Sequence, residues 1–233
     1  TILGEGEPTY VWLHGWGQDR FSLMRLAKLF EKRGKHILVD LPGFGDTPIL
    51  ENAAGTKEYA YALYEFLTEI NIKHPCIILG HSFGARVATQ FAAHYPTHVH
   101  SMVFIAGAGL KRKRSLAFKI RASYLRILGK ISKLSDKLFK TTYYMKYASR
   151  YGSRDYKAAG ELRSTFVKVV NEDLIEEAKR NDKPTLLIYA SEDNEAPPEI
   201  GKKYASLIQN ASYHELQGYG HLDILERGAY QCQ

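Results

Sequence analysis

Ile77-Ile78-Leu79-Gly80-His81-Ser82-Phe83-Gly84 decides how this chain is read. A short apolar run ends in a G-x-S-x-G pentapeptide, and a helical pattern continues from Phe83 to Tyr95. The pentapeptide alone is modest evidence; its place between a strand and a helix makes it strong. A strand-to-helix turn this tight forces the serine into a strained backbone conformation, and flanking glycines remove the side chains that would clash there. The turn also sets the hydroxyl at the carboxyl edge of a sheet, where open α/β folds bind their ligands.

Outward from that strand, similar runs recur at Tyr10-Val11-Trp12-Leu13, Ile37-Leu38-Val39, Met102-Val103-Phe104-Ile105 and Leu186-Leu187-Ile188-Tyr189, with a last strand at Tyr213 to Leu216. Nearly all-apolar strands are expected where a parallel sheet is covered on both faces. Helical patterns alternate with them at Phe21 to Lys32, Thr56 to Ile70 and Ile200 to Ile208. In the second, Tyr59, Leu63, Phe66, Leu67 and Ile70 form one buried stripe. Pro96 ends the helix that begins at Phe83, because proline disfavours helical geometry in the preceding residue. The alternation predicts an α/β fold with a doubly wound, mostly parallel sheet.

From Gly109 to Pro184 no strand is predicted. Leu116, Ile120, Tyr124, Ile127, Leu128, Ile131, Leu134 and Leu138 recur at steps of three and four, with Lys119, Arg126, Lys130, Lys133 and Lys137 on the other side. The expected organisation is an α/β core at 1–109 and 184–233, with a helical cap and connecting helices inserted at 110–183. Tyr124, Phe139, Tyr143, Tyr144 and Tyr147 are candidates either to line a pocket under that cap or to form its own core. The charge divides the same way. Lys111 to Lys157 holds 15 basic residues against Asp136 and Asp155, so a +13 insert sits on a −6 body within the overall +7. Lys111, Arg112, Lys113 and Arg114 are the densest part and a candidate patch for an acidic partner.

Composition excludes several classes. At 233 residues, 45% hydrophobic and 24% charged, the chain has the make-up of a packed globular domain, not of a disordered, collagenous or disulfide-framed one. No apolar run approaches the ~18 residues of a membrane span, and the mean hydropathy is −0.31. No secretory leader opens the chain, which starts at Thr1 without methionine, so natural termini and any targeting signal are expected to lie outside it. Cys76 and Cys232 are too few for a zinc site and read as unpaired thiols in a reducing compartment, giving an expected cytoplasmic location. The basic insert has no recognisable nucleic-acid reading motif, so no nucleic acid is expected as partner.

A serine is a poor nucleophile unless a base takes its proton and an acid orients that base. His221, in Gly218-Tyr219-Gly220-His221-Leu222, and Asp193, in Ser191-Glu192-Asp193-Asn194-Glu195, each follow a predicted strand. Glu192 and Glu195 compete with Asp193; His36, His74, His94, His98 and His100 lie in surface-like segments and read as bystanders. After the strand at Tyr10, His14-Gly15-Trp16-Gly17 makes a glycine-rich turn that can aim a backbone N–H at the same edge. The amides of Trp16 and Phe83 are the natural pair of oxyanion donors, and His14 and Gly15 join them as candidates for the oxyanion and substrate-binding wall.

These motifs, together with Asp40-Leu41-Pro42-Gly43-Phe44-Gly45-Asp46-Thr47, resemble the α/β-hydrolase fold superfamily along essentially the whole chain. The order Ser82, Asp193, His221 is that of the superfamily's triad, and Ser82 argues against the haloalkane dehalogenases and epoxide hydrolases, whose nucleophile is aspartate. Ala85 and Arg86 stand where a second glycine is frequent after the elbow, and Ala190 replaces a common glycine before the acidic loop. The resemblance implies a serine carboxylesterase without metal or organic cofactor, acting on a small-molecule or acyl ester. Within the superfamily, His14-Gly15-Trp16-Gly17 with Val39 to Gly45 is similar to the carboxylesterases that cleave pimeloyl-acyl-carrier-protein methyl ester, which implies an acidic carrier protein as partner of the basic insert. Other readings are a thioesterase or lipase on the same three residues, a non-catalytic binding protein on a hydrolase scaffold, a lid that is merely solvated, and a basic helix lying on anionic membrane.

Overall fold

The computed structural model describes residues 1–72, 74–112, 116–151, 153–229 and 231, with the side chains of 118, 119 and 154 left out. Lys113, Arg114 and Cys232 therefore lie outside the described residues. Seven strands form one sheet: β1 Ile2–Leu3, β2 Thr9–Leu13, β3 Lys35–Val39, β4 Cys76–His81, β5 Val99–Ile105, β6 Thr185–Ala190 and β7 Ala211–Leu216, in the order β1-β3-β2-β4-β5-β6-β7. All neighbours are parallel except β1, which pairs antiparallel with β3 through Ile2 and Leu3. That two-residue strand was not anticipated, being too short to carry a period.

Helices cover both faces, as a parallel sheet requires. On one side α2 (Thr56–Glu69), α3 (Phe83–His94), α8 (Ile175–Arg180) and α9 (Pro198–Leu207) enclose the larger core, which holds Leu63, Phe91, Ala178 and Tyr204. On the other, α1 (Met24–Phe30) and α10 (Asp223–Glu226) pack Leu26, Ala27, Ile224 and Leu225 against Trp12, Leu38 and Ile188. His36 departs from its surface reading. It is fully buried, accepts from Trp12 Nε1 at 3.1 Å, reaches Phe30 O at 2.9 Å and stacks on Tyr10. Cys76 is the buried strand residue expected, its thiol pushed up to about 11 by burial.

Between β5 and β6 come α4 (Leu116–Phe139), α5 (Tyr143–Tyr151), α6 (Arg154–Ala158), α7 (Arg163–Asn171) and α8. Packing cuts across the boundaries expected at 110 and 183: Leu110, Leu162, Val169, Leu174 and Ala178 all belong to the larger core, because α7 and α8 return to the sheet layer. Helices α4 and α5 pack on each other, and none of their described residues belongs to either core cluster.

The site edge depends on two close approaches. A Cβ on Gly80 would meet Ala85 N at 2.5 Å, and one on Gly84 would meet Leu13 O at 2.1 Å, so β2, β4 and α3 come together only without those side chains. Gly84→Ala must push α3 off β2, and a loss of about 3 kcal/mol is expected, read as a lowered urea midpoint.

Candidate active site

The chain turns from β4 into α3 at Ser82, with φ 48° and ψ −105°. Such geometry costs a non-glycine residue about 1–3 kcal/mol and persists only where the surroundings over-determine it. Ser82 N–H donates to Ile105 O at 3.2 Å, and Ser82 O accepts from Ala85 N at 3.2 Å and Ala108 N at 3.1 Å. The strained residue is thus tied to the ends of the adjoining strand and helix, and its side chain projects into the cavity.

His221 and Asp193 come from the loops after β7 and β6. Glu192 N donates to Tyr219 O and Gly218 N to Ser191 Oγ, both at 3.0 Å, lacing the two loops together. His221 Nδ1 lies 2.6 Å from Asp193 Oδ2, and His221 Nε2 lies 2.9 Å from Ser82 Oγ. Asp193 Oδ1 accepts from Glu195 N at 2.7 Å and Ala196 N at 2.9 Å. Burial alone would raise the Asp193 carboxyl; the hydrogen bond and charge of His221 and the two amides outweigh it and hold the group below its ordinary value. An ionised Asp193 keeps the proton on Nδ1 and leaves Nε2 with a lone pair for the Ser82 hydroxyl. Glu195, weighed as a rival to Asp193, instead stands 3.6 Å from the Nε2 side of the ring.

Opposite Ser82, the turn after β2 presents Gly15, Trp16 and Gly17 to the cavity. Trp16 is held by Phe44, Phe83 and Phe166 at ring distances of 5.0, 5.3 and 5.1 Å. The Phe83 N–H opens α3 and has no partner carbonyl within the helix. His14 corrects the expectation that it shapes the binding wall. It is fully buried behind the turn, Nε2 accepting from Leu41 N at 3.0 Å and Nδ1 donating to Gly15 O at 2.7 Å, so it braces the turn from inside. Asp40 braces the facing loop: its carboxylate accepts from Arg20 N at 2.7 Å and Asp46 N at 3.0 Å and pairs with the Arg20 guanidinium.

The cavity measures about 610 Å³, and α6 and the turn after it supply Asp155, Ala158, Ala159, Glu161 and Leu162. Asp155, Glu161 and Glu195 line it, while no lysine or arginine does among the described residues. Of the candidate basic patch, neither Lys111 nor Arg112 lines the cavity. Lys111 is exposed, with its backbone N–H on Asp173, and Arg112 donates to Asn194 O at 3.0 Å. None of Tyr124, Phe139, Tyr143, Tyr144 or Tyr147 lines the cavity; Tyr144 and Tyr147 pack together, and the other three are exposed. No group of three His, Cys, Asp or Glu side chains among the described residues could hold a metal ion.

Sequence reasoning passed over His81, although it stands beside Ser82. It is fully enclosed, with Nδ1 3.1 Å from Gln18 Oε1 and Nε2 3.2 Å from the His221 carbonyl oxygen. Gly15 N–H also donates to Gln18 Oε1 at 2.8 Å. A neutral imidazole has a single N–H for those two oxygens. The only hint in the chain was its place at the end of a buried strand.

Burial and the neighbouring His221 lower His81 to about 3, against 6.5 for a free ring. Between those values protons favour the unfolded chain, so stability is full above about 6.5 and falls as pH drops, by about 1.4 kcal/mol per unit per group. Buried His14 and His36 act in the same direction. Urea midpoints followed from pH 7 to 4 should fall, and His81→Gln should flatten that fall by one proton's worth.

Comparison with known proteins bears on the fold and the family. Residues 8–228 match the alpha/beta hydrolase fold family. The pimeloyl-[acyl-carrier protein] methyl ester esterase of Aeromonas hydrophila is 34% identical over 106 residues, which is 46% of this chain and 40% of that protein, so the match leaves most of that enzyme's length unmatched. An uncharacterized hydrolase of Bacillus subtilis is 26% identical over 95% of this chain and 86% of its own length. Among solved structures, a membrane phospholipase A superposes with a TM-score of 0.76 at 23% identity, covering 99% of this chain and 79% of that one. A meta-cleavage product hydrolase from Pseudomonas fluorescens does so at 0.72 and 20%, covering 99% and 89%. The chain belongs to the alpha/beta hydrolase fold family.

Proposed function

We propose that the protein is a serine carboxylic ester hydrolase working through an acyl-enzyme. The observation that supports this most is the unbroken hydrogen-bonded chain from Asp193 through His221 to Ser82, opening into a cavity of about 610 Å³. Ser82 Oγ attacks the ester carbonyl while His221 Nε2 takes its proton; the same nitrogen then protonates the departing alcohol. Water, deprotonated by His221, opens the acyl-enzyme and releases the acid. Asp193 holds the imidazole tautomer, and the N–H groups of Trp16 and Phe83 receive the oxyanion, each such donor contributing about 2.7–4 kcal/mol in related chemistry. Relatives described as esterases and lipases support an ester as the substrate.

The inserted helices act as the cap in this reading, α6 forming part of the cavity wall. The cavity's carboxylates favour an uncharged acyl group over an anionic one, since Asp155, Glu161 and Glu195 would face a second carboxylate on the substrate. A carrier-protein ester remains the narrower alternative, supported by the partial likeness to the Aeromonas esterase.

Two outcomes are expected. Ser82→Ala should abolish labelling by a fluorophosphonate probe and lower kcat by about 10⁶-fold, and Asp193→Asn should lower it by about 10⁴-fold; undiminished labelling of Ser82→Ala would rule out the nucleophile. In a panel of methyl esters, thioesters and longer acylglycerols, diesters should turn over faster than the matching half-esters that carry a free carboxylate. The reverse preference would remove the role given to the three carboxylates.

A further inference from the structure

Helix α4 presents its apolar side to solvent. At 100° per residue, Leu116, Ile120, Tyr124, Ile127, Ile131, Leu134 and Leu138 fall within a sector of about 80°, and each is 57–74% exposed. The opposite side packs, meeting α5 through a glycine, a backbone carbonyl and a carboxylate. A Cβ on the buried Gly129 would sit 2.9 Å from the Tyr147 ring, Tyr147 OH donates to Leu125 O at 2.7 Å, and Asp136 accepts from Tyr143 N at 2.8 Å and Tyr144 N at 2.9 Å. With that side committed to α5, the helix leaves a strip about 33 Å long bare. Phe139 at the end of α4 and Tyr143 and Met145 of α5 are also exposed, at 73%, 53% and 71%.

Charge identifies the occupant. Arg126, Lys130, Lys133 and Lys137 are exposed and occupy the sector beside the strip, spanning about 60°. A second copy packed along the same strip would bring two such basic rows together, which repel. An acidic protein would satisfy the lysines yet leave the apolar row in water. An anionic lipid surface takes both, the lysines meeting headgroups while the apolar row and its tyrosines enter the acyl boundary. We propose that α4 is a membrane-docking helix that lies in the plane of an anionic bilayer. No described helix is long and apolar enough to cross a membrane, so the contact is peripheral at this helix. Tyr144, which packs against the docked helix through Lys133 over its ring at 4.5 Å, hydrogen-bonds Tyr156 of α6 at 2.7 Å, so the docked pair adjoins the segment that walls the cavity. The inference does not rest on ester hydrolysis and is tested without substrate.

The full chain should co-sediment with vesicles made of equal parts phosphatidylcholine and phosphatidylglycerol and stay in the supernatant with phosphatidylcholine alone. Binding should weaken as salt rises past about 0.1 M, where the Debye length is about 10 Å. Replacing Arg126, Lys130 and Lys137 by glutamine should cut partitioning roughly a hundred-fold, at about five-fold per basic residue. The paired change Ile127→Asp with Ile131→Asp should abolish it. Both variants keep wild-type circular dichroism, since these side chains touch neither core. Vesicle binding indifferent to lipid charge, variants that bind as wild type does, or capture by immobilised acyl carrier protein or by a second copy in place of vesicles would each overturn the proposal.

Discussion

Everything at the candidate site depends on one strained residue. Ser82 is held at positive φ where β4 becomes α3, and it stays there because Gly80 and Gly84 let Ala85 and Leu13 approach at distances that any Cβ would forbid. Three backbone hydrogen bonds from the neighbouring strand end and turns fix it further. The hydroxyl is thereby presented at the sheet edge while the helix that follows is buried along most of its length, and its first N–H groups point back toward the same place. Strain of this kind survives only on a rigid frame, which the parallel β2, β4 and β5 supply.

Around that point the electrostatics are layered. Closest to Ser82, neutral His81 and His14 are kept uncharged by burial, so the ionised Asp193 beneath His221 is the nearest enclosed charge. Further out, Asp155, Glu161 and Glu195 give the cavity an acidic lining, while six of the insert's fifteen basic residues ride on α4, whose described residues do not line it. Net charge alone conceals this arrangement, because the basic and acidic groups sit on different surfaces of the same segment.

Much of this was readable along the chain. The pentapeptide around Ser82 and the apolar strands express local rules of period and turn chemistry, while the order Ser82, Asp193, His221 was legible through the resemblance to the superfamily. What escaped was the outcome of long-range packing. His36 read as a surface position and His81 drew no reading, yet each is enclosed by packing that local rules do not fix, Trp12 and Phe30 for one, Gln18 and the His221 loop for the other. His14 looked like part of a binding wall and proved to brace it, because only the approach of Leu41 from the β3 loop decides which way the ring faces.

The amino-acid sequence by itself determined the fold class, through its alternation of strands and helices, and the elbow at Ser82, and narrowed the acid to the loop holding Glu192, Asp193 and Glu195. The tertiary structure decided which side of each element is used. The α4 pattern announced an amphipathic helix but could not say which face would be covered. Gly129, the Leu125 carbonyl and Asp136 against α5 settle that, turning the apolar row outward and the opposite row inward. A periodic pattern specifies that two faces differ; only a partner element with complementary shape and hydrogen-bonding groups chooses between them.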